Sequence, residues 1–267
     1  MNATIIAVAN QKGGVAKTTT VIALAAAFAE QGRAVLAVDL DPQGCLTFSL
    51  GYDPDALEPT LHEVITGRTP LVKTIVQHPE MDLVPASIDL AGAEVGLLSR
   101  TGREYVLRSE LAGLRETYDV ILLDCPPSLG VLTLNGLTAA DQVVVPVQCE
   151  TLSHRGVSQL LETIDDVRRL TNPDLRIAGI VATMFDARTR HAAAVLADVE
   201  ARYGLRLLGA PVRRSIRFAE APRVGQSILA YDPRVPGAAA YRLVAAELAG
   251  REPDGELLVA AGVVTEA

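Results

Sequence analysis

A short segment, Asn10-Gln-Lys-Gly-Gly-Val-Ala-Lys-Thr-Thr-Thr20, carries the residue types that bind phosphate. The apolar run Ile5–Ala9 precedes it and an Ala-rich helical run, Val21–Ala29, follows. A strand, a glycine-containing loop, Lys-Thr and a helix form an anion cradle. Backbone N–H groups and the helix N-terminus converge on the phosphate, and the lysine neutralises its charge. Lys17 is placed to reach β- and γ-phosphate oxygens, and the Thr18 hydroxyl to ligate Mg²⁺. The general pattern G-x-x-x-x-G-K-[ST] nevertheless fails twice, because Gln11 and Ala16 occupy its glycine positions. Alanine at positive φ costs about 1 kcal/mol or more, so residue 16 is predicted to have negative φ. An extra lysine, Lys12, opens the loop.

Three carboxylates have the spacing to serve such a site. Asp39 and Asp41 lie at the end of the apolar run Ala34–Val38, and Asp124 closes Val120–Leu123. Ligands of open α/β sheets bind outside the C-terminal ends of strands. Of the pair Asp39 and Asp41, one could serve the Mg²⁺ shell and the other orient the attacking water. Residues two apart in a strand point the same way, but Pro42 implies a turn that splays them. An acid after a strand such as Val120–Leu123 usually holds Mg²⁺ through its bound water in phosphate-loop enzymes.

The elements that must position these groups follow from the apolar pattern. Strands are expected at Ala3–Ala9, Ala34–Val38, Met81–Pro85, Val120–Leu123, Gln142–Val147 and Arg176–Met184, with a further one at Leu205–Leu208. Helices are expected at Thr18–Gln31, Thr60–Gly67, Ile88–Leu98, Glu104–Glu116, Leu129–Ala139, Ser153–Leu170, Thr189–Tyr203 and Ala238–Leu248. Near-continuous Val/Ile/Leu strands, each followed by a helix, imply a parallel sheet covered on both faces, and with the phosphate loop the expected fold is α/β, a three-layer P-loop fold. Its sheet is mostly parallel and twisted, with helices on both faces. Residues 1–250 are read as one domain and 251–267 as a flexible tail.

Bulk properties narrow the class. The chain has 267 residues, 49% of them hydrophobic, enough for one large α/β core. There is no run of about 18 apolar residues and no basic segment leading an apolar N-terminal stretch, so neither a membrane span nor a signal peptide is expected. Three cysteines without CxxC spacing point to a reducing cytosol, with no disulfide framework and no zinc site. A net charge of −8 argues against a wholly basic nucleic-acid binder. A local basic stretch exists all the same: Pro211–Arg223 holds four arginines and one glutamate, net +3, and Arg188 and Arg190 lie upstream. Such arginines neutralise phosphates without reading bases, giving sequence-independent, salt-sensitive binding.

Three motifs occur in order: Lys12-Gly-Gly-Val-Ala-Lys-Thr-Thr19, Val38-Asp-Leu-Asp-Pro-Gln-Gly44 and Ile121-Leu-Leu-Asp-Cys-Pro-Pro-Ser128. They resemble the deviant Walker A, A′ and B motifs of the ParA/Soj branch of the ParA–MinD ATPases. Val144-Val-Pro-Val-Gln148, Thr183-Met-Phe-Asp186, Arg217-Phe-Ala-Glu-Ala-Pro222 and Pro236-Gly-Ala-Ala-Ala-Tyr241 extend the resemblance over residues 3–250.

The resemblance implies ATP and Mg²⁺ as cofactors, bound by Gly13, Gly14, Val15, Ala16, Lys17, Thr18, Thr19 and Met184. It implies Thr18, Asp39 and Asp124 around the metal, Asp41 positioning the hydrolytic water, and Lys12 reaching a partner's phosphates across an ATP-sandwich homodimer. In physical terms Lys12 would neutralise transition-state charge in trans. The implied partners are non-specific double-stranded DNA, through Arg188, Arg190, Arg214 and Arg217, and a ParB-like centromere-binding protein. The implied location is cytoplasmic and nucleoid-associated.

Two other readings share the loop. A MinD-like membrane-cycling ATPase needs a basic amphipathic C-terminal helix, and no Lys or Arg follows Arg251. A metabolic P-loop reductase or small-molecule ligase is the other.

Overall fold

The computed structural model describes residues 2–149, 153–186, 188–252 and 254–263. Seven strands form one sheet: β1 (Thr4–Val8), β2 (Val35–Asp39), β3 (Val76–His78), β4 (Met81–Val84), β5 (Val120–Asp124), β6 (Gln142–Gln148) and β7 (Arg176–Thr183). Their spatial order is β3-β4-β2-β5-β1-β6-β7. All pairings are parallel except β3 with β4, an antiparallel edge.

The helices are α1 (Lys17–Glu30), α2 (Cys45–Ser49), α3 (Leu61–Ile65), α4 (Leu90–Leu97), α5 (Val106–Leu111), α6 (Val131–Ala139), α7 (Ser153–Leu170), α8 (Arg190–Tyr203), α9 (Arg217–Glu220), α10 (Ile228–Tyr231), α11 (Pro236–Leu248) and α12 (Gly255–Ala260).

Successive side chains of a strand face opposite ways, and both faces here are apolar. Along β1, Ile5 and Ala7 join one buried cluster with α4, α6 and α7, while Ile6 and Val8 join another with α1 and α11. The connection from β1 to β2 runs through α1 on one face. That from β5 to β6 runs through α6 on the other. The loops therefore part at the C-terminal ends of β1 and β5, where such sheets leave a crevice. Strand register sets the acids abreast: Val8 and Asp39 each pair with Asp124.

Several expected elements differ. Leu205–Leu208 forms only an isolated bridge, Leu207 to Ile180. Helix Glu104–Glu116 is cut into a 3₁₀ turn (Arg103–Tyr105), α5 and a second 3₁₀ turn (Ala112–Leu114). It is short because the segment includes Gly113, a poor helix former, and Asn135 Oδ1 accepts from Leu107 N–H where the helix begins. The segment 251–267, read as a tail, contains α12. Leu257 and Leu258 pack against the α1/α11 cluster, and Asp254 caps the helix by accepting from Glu256 N–H. The Pro and Gly residues around it concealed this short helix.

Candidate nucleotide site

The loop after β1 is pinned before it turns. Asn10 donates from Nδ2 to Pro146 O at 2.7 Å on β6, and its Oδ1 accepts from Lys12 N–H at 3.0 Å. Gly156 of α7 lies against the same corner, and a Cβ there would meet Asn10 Oδ1 at 3.0 Å. From the far side of the loop, the Thr183 hydroxyl at the end of β7 donates to Val15 O at 3.0 Å. Helix α1 then begins with no side-chain cap and no acid in its first turn. Its N-terminal N–H groups and dipole thus face a site suited to an anion.

Ala16 has φ 65° and ψ 36°, the left-handed conformation. The expectation of negative φ is overturned. The residue sits at the helix N-cap, where the chain must reverse out of the loop, and its strain is offset by the bonds its carbonyl accepts.

Lys17 is only 8% exposed and donates to Lys12 O at 3.3 Å. Burial lowers its pKa, and the nearby carboxylates of Asp124 and Asp41 oppose that shift. A buried ammonium with one long hydrogen bond is a strong attractor for an incoming phosphate. Thr18 donates from its hydroxyl to Asp124 Oδ2 at 2.7 Å, while the buried Asp124 Oδ1 has no protein partner. Burial, then the neighbouring Asp39, push the Asp124 carboxyl well above the usual carboxylate range. An orphaned buried carboxylate oxygen beside a threonine hydroxyl fits a hard cation. Among the described residues no three His, Cys, Asp or Glu side chains form a metal cage. That donor set fits Mg²⁺, which keeps waters and phosphate oxygens as most of its ligands.

Asp39 and Asp41 are splayed, as Pro42 implies. Asp39 is fully buried and both its oxygens accept protein bonds: Oδ1 from Asp41 N–H, and Oδ2 from the Thr47 N–H and hydroxyl. Burial raises its pKa to about 6 against these three bonds. Its geometry holds the β2–α2 corner in place. Asp41 is half-buried, accepts from Gln43 N–H at 3.0 Å, and lines a cavity of about 420 Å³ with Gly13, Gly14, Lys17 and Thr18.

A second, apolar cavity of about 240 Å³ lies on the other side of the loop, walled by Ala16, Thr19, Met184, Val212, Phe218 and Tyr241. Phe218 is half-buried in this wall and meets Tyr241 edge-on. Met184, like Ala16, has positive φ (49°).

The arginines differ in their acidic partners. Arg188 is bidentate to Asp186 at 2.9 and 2.8 Å, and this pair holds Asp186 down at about 2. Arg217 pairs with Glu220 at 2.8 Å and with Asp232 at 3.5 Å. Arg214 is exposed and lines, with Arg213 and the Arg188–Asp186 pair, a groove of about 550 Å³ beside Met184. The Arg190 side chain lies outside the described residues. The paired acids follow closely in sequence, at i−2 and i+3. Thr183, Asn10 and Arg213 also shape the site and were not assigned from sequence, although Thr183 stands inside the motif Thr183-Met-Phe-Asp186.

This strand–loop–helix, with a buried lysine and acids abreast at the C-terminal ends of β2 and β5, defines the protein as a P-loop ATPase. A family model described as an AAA domain matches residues 3–177. The chain is 43% identical to the chromosome partitioning protein ParA of Caulobacter vibrioides over 94% of this chain and 95% of that one. It is 42% identical to the sporulation initiation inhibitor protein Soj of Bacillus subtilis over 92% and 98%. A solved structure, cobyrinic acid a,c-diamide synthase from Mycobacterium smegmatis with bound ATP analog and magnesium, superposes with TM-score 0.83 at 54% identity, covering 92% and 94%. The chain belongs to the ParA/Soj family of ATPases. Among the described residues no helix is long and apolar enough to cross a membrane.

Proposed function

We propose that the protein is a partitioning ATPase whose ATP-bound form is a two-subunit sandwich that holds DNA and releases it on hydrolysis. The observation that carries the nucleotide part is Asp124 Oδ1, buried and unpartnered beside Thr18 and Lys17. Thr18 would hold Mg²⁺ directly, and Asp124 would hold it through its water shell. When bound, Mg²⁺ neutralises and orients the phosphates. Gly13 to Thr19 would wrap the phosphates, and the apolar cavity beside Met184 would receive the base. Asp41, at the cavity mouth, would orient the attacking water. Lys12 would serve the partner's nucleotide. The relatives named for chromosome partitioning support DNA as the cargo. In this reading a ParB-like protein would stimulate hydrolysis.

For DNA, the geometry favours Arg214, with Arg213, over Arg188 and Arg217, whose charges are already matched within the chain. Arg190 stays in the proposed set by its place at the start of α8.

ATP binds the dimer better than the monomer under this reading, so it shifts the association equilibrium. Sedimentation velocity is expected to show a species of 28.2 kDa without nucleotide and twice that mass with ATP and Mg²⁺. Lys12→Ala should weaken that association. An unchanged mass with saturating ATP would contradict the sandwich.

The solved relative named as an amide synthase favours one other reading, an ATP-dependent ligase. That reading predicts phosphate release that rises with cobyrinic acid and a nitrogen donor. Partitioning predicts release that rises with DNA and the partner protein.

A further inference from the structure

Among the described residues, the non-glycine positions with positive φ are Ala16 and Met184, and both line the 240 Å³ cavity. Backbone strain of this kind persists only where the surroundings over-determine it. At Ala16 those surroundings are visible. Its carbonyl accepts twice from one residue, from Thr20 N–H at 2.9 Å and from the Thr20 hydroxyl at 2.8 Å. A carbonyl has no proton to give, so the single hydroxyl proton of Thr20 points at Ala16. The Tyr241 phenol, 3.0 Å from Thr20 Oγ1, must then be the donor in that pair. The relay runs one way, from Tyr241 O–H to Thr20 Oγ1 and from Thr20 O–H to the Ala16 carbonyl.

Tyr241 is fully buried within α11, 221 residues from Thr20. Phe218 meets its ring edge-on at 6.2 Å, which fixes the direction of the phenol. Volume alone would be served as well by phenylalanine. The hydroxyl instead ends on the first turn of α1, directly behind Lys17 and Thr18.

We propose that Tyr241 is a positioning residue for the nucleotide loop. Through Thr20 it fixes the Ala16 carbonyl, and so holds Ala16 in the left-handed conformation that aims Lys17 and Thr18 at the phosphates. The proposal rests on the loop's being the nucleotide site. The general pattern places glycine at position 16, where positive φ costs nothing extra. The relay supplies for alanine what glycine has unaided. The contribution of Tyr241 therefore depends on which residue stands at 16, a dependence that simple core packing lacks.

The test is a double-mutant cycle read by titration with a fluorescent ADP analogue plus Mg²⁺, alongside thermal unfolding. Tyr241→Phe is expected to weaken nucleotide binding roughly 3- to 10-fold, the effect of one buried hydrogen bond. Relative to Ala16→Gly alone, adding Tyr241→Phe should cost less than about 2-fold, because the strain is gone. Thr20→Ala should reproduce the loss and Thr20→Ser should restore most of the affinity. These threonine variants decide the matter by the same criteria if Tyr241→Phe does not fold. A Tyr241→Phe protein that melts earlier but binds as tightly as wild type would overturn the relay. So would an equal loss with and without Ala16→Gly. Wild type that bound no nucleotide would overturn the nucleotide reading itself, and the relay with it.

Discussion

Lys17→Ala is expected to reduce affinity for ATP by roughly 10- to 100-fold, the cost of one charge-assisted hydrogen bond to phosphate. The structure explains why no other group takes over. Lys17 is buried at the base of the loop, its ammonium 3.3 Å from the Lys12 carbonyl, and the first turn of α1 has no second cation. Burial lowers its pKa, and a bound phosphate would oppose that shift, as the carboxylates of Asp124 and Asp41 do. The same burial separates a functional loss from a folding defect. Removing a desolvated cation should leave thermal stability without nucleotide unchanged or slightly higher, so affinity falls while stability does not. Isothermal titration with ATP and Mg²⁺, beside thermal unfolding of the nucleotide-free protein, checks both. Unchanged affinity would contradict the placement of the phosphates against Lys17.

Asp41→Ala is expected to cut ATP turnover by about 10²-fold or more while leaving ATP affinity within a few-fold of wild type. Two facts separate Asp41 from Asp39. Asp39 spends both oxygens on Thr47 and the Asp41 N–H, so its removal should damage the β2–α2 corner and lower stability. Asp41 accepts one backbone bond from Gln43 and otherwise faces the cavity over the loop. A single-turnover assay with saturating ATP measures the chemical step directly. Loss of ATP binding in Asp41→Ala would move this residue from chemistry to structure.

The strand–loop–helix geometry was legible because its parts are contiguous in sequence. Lys17 and Thr18 follow β1 directly, and Asp39 and Asp124 end apolar strands whose parallel pairing sets them abreast. What sequence missed depends on contacts far apart along the chain. The conformation of Ala16 turns on Tyr241, a tyrosine in a run that reads as an ordinary core helix. The bonds from Thr47 to Asp39 were hidden in sequence, because the short helix α2 has too few residues for a periodic signal. Arg188 and Arg217 looked available for DNA because local net charge counts residues and cannot tell which acid each arginine meets. Leu205–Leu208 has strand composition but lies beside β7 with a single bridge, Leu207 to Ile180, and the backbones approach so closely that a Cβ at Gly179 would meet Arg206 O at 2.6 Å.

The central claim is that ATP gates DNA binding. Its most direct measurement is the affinity of wild type and Lys17→Ala for a random-sequence duplex, with and without ATP and Mg²⁺, over a range of salt. The account predicts tight, sequence-independent binding by wild type only with ATP, weakening steeply as salt rises, and none by Lys17→Ala. Equal affinity of wild type for DNA with and without ATP would contradict it.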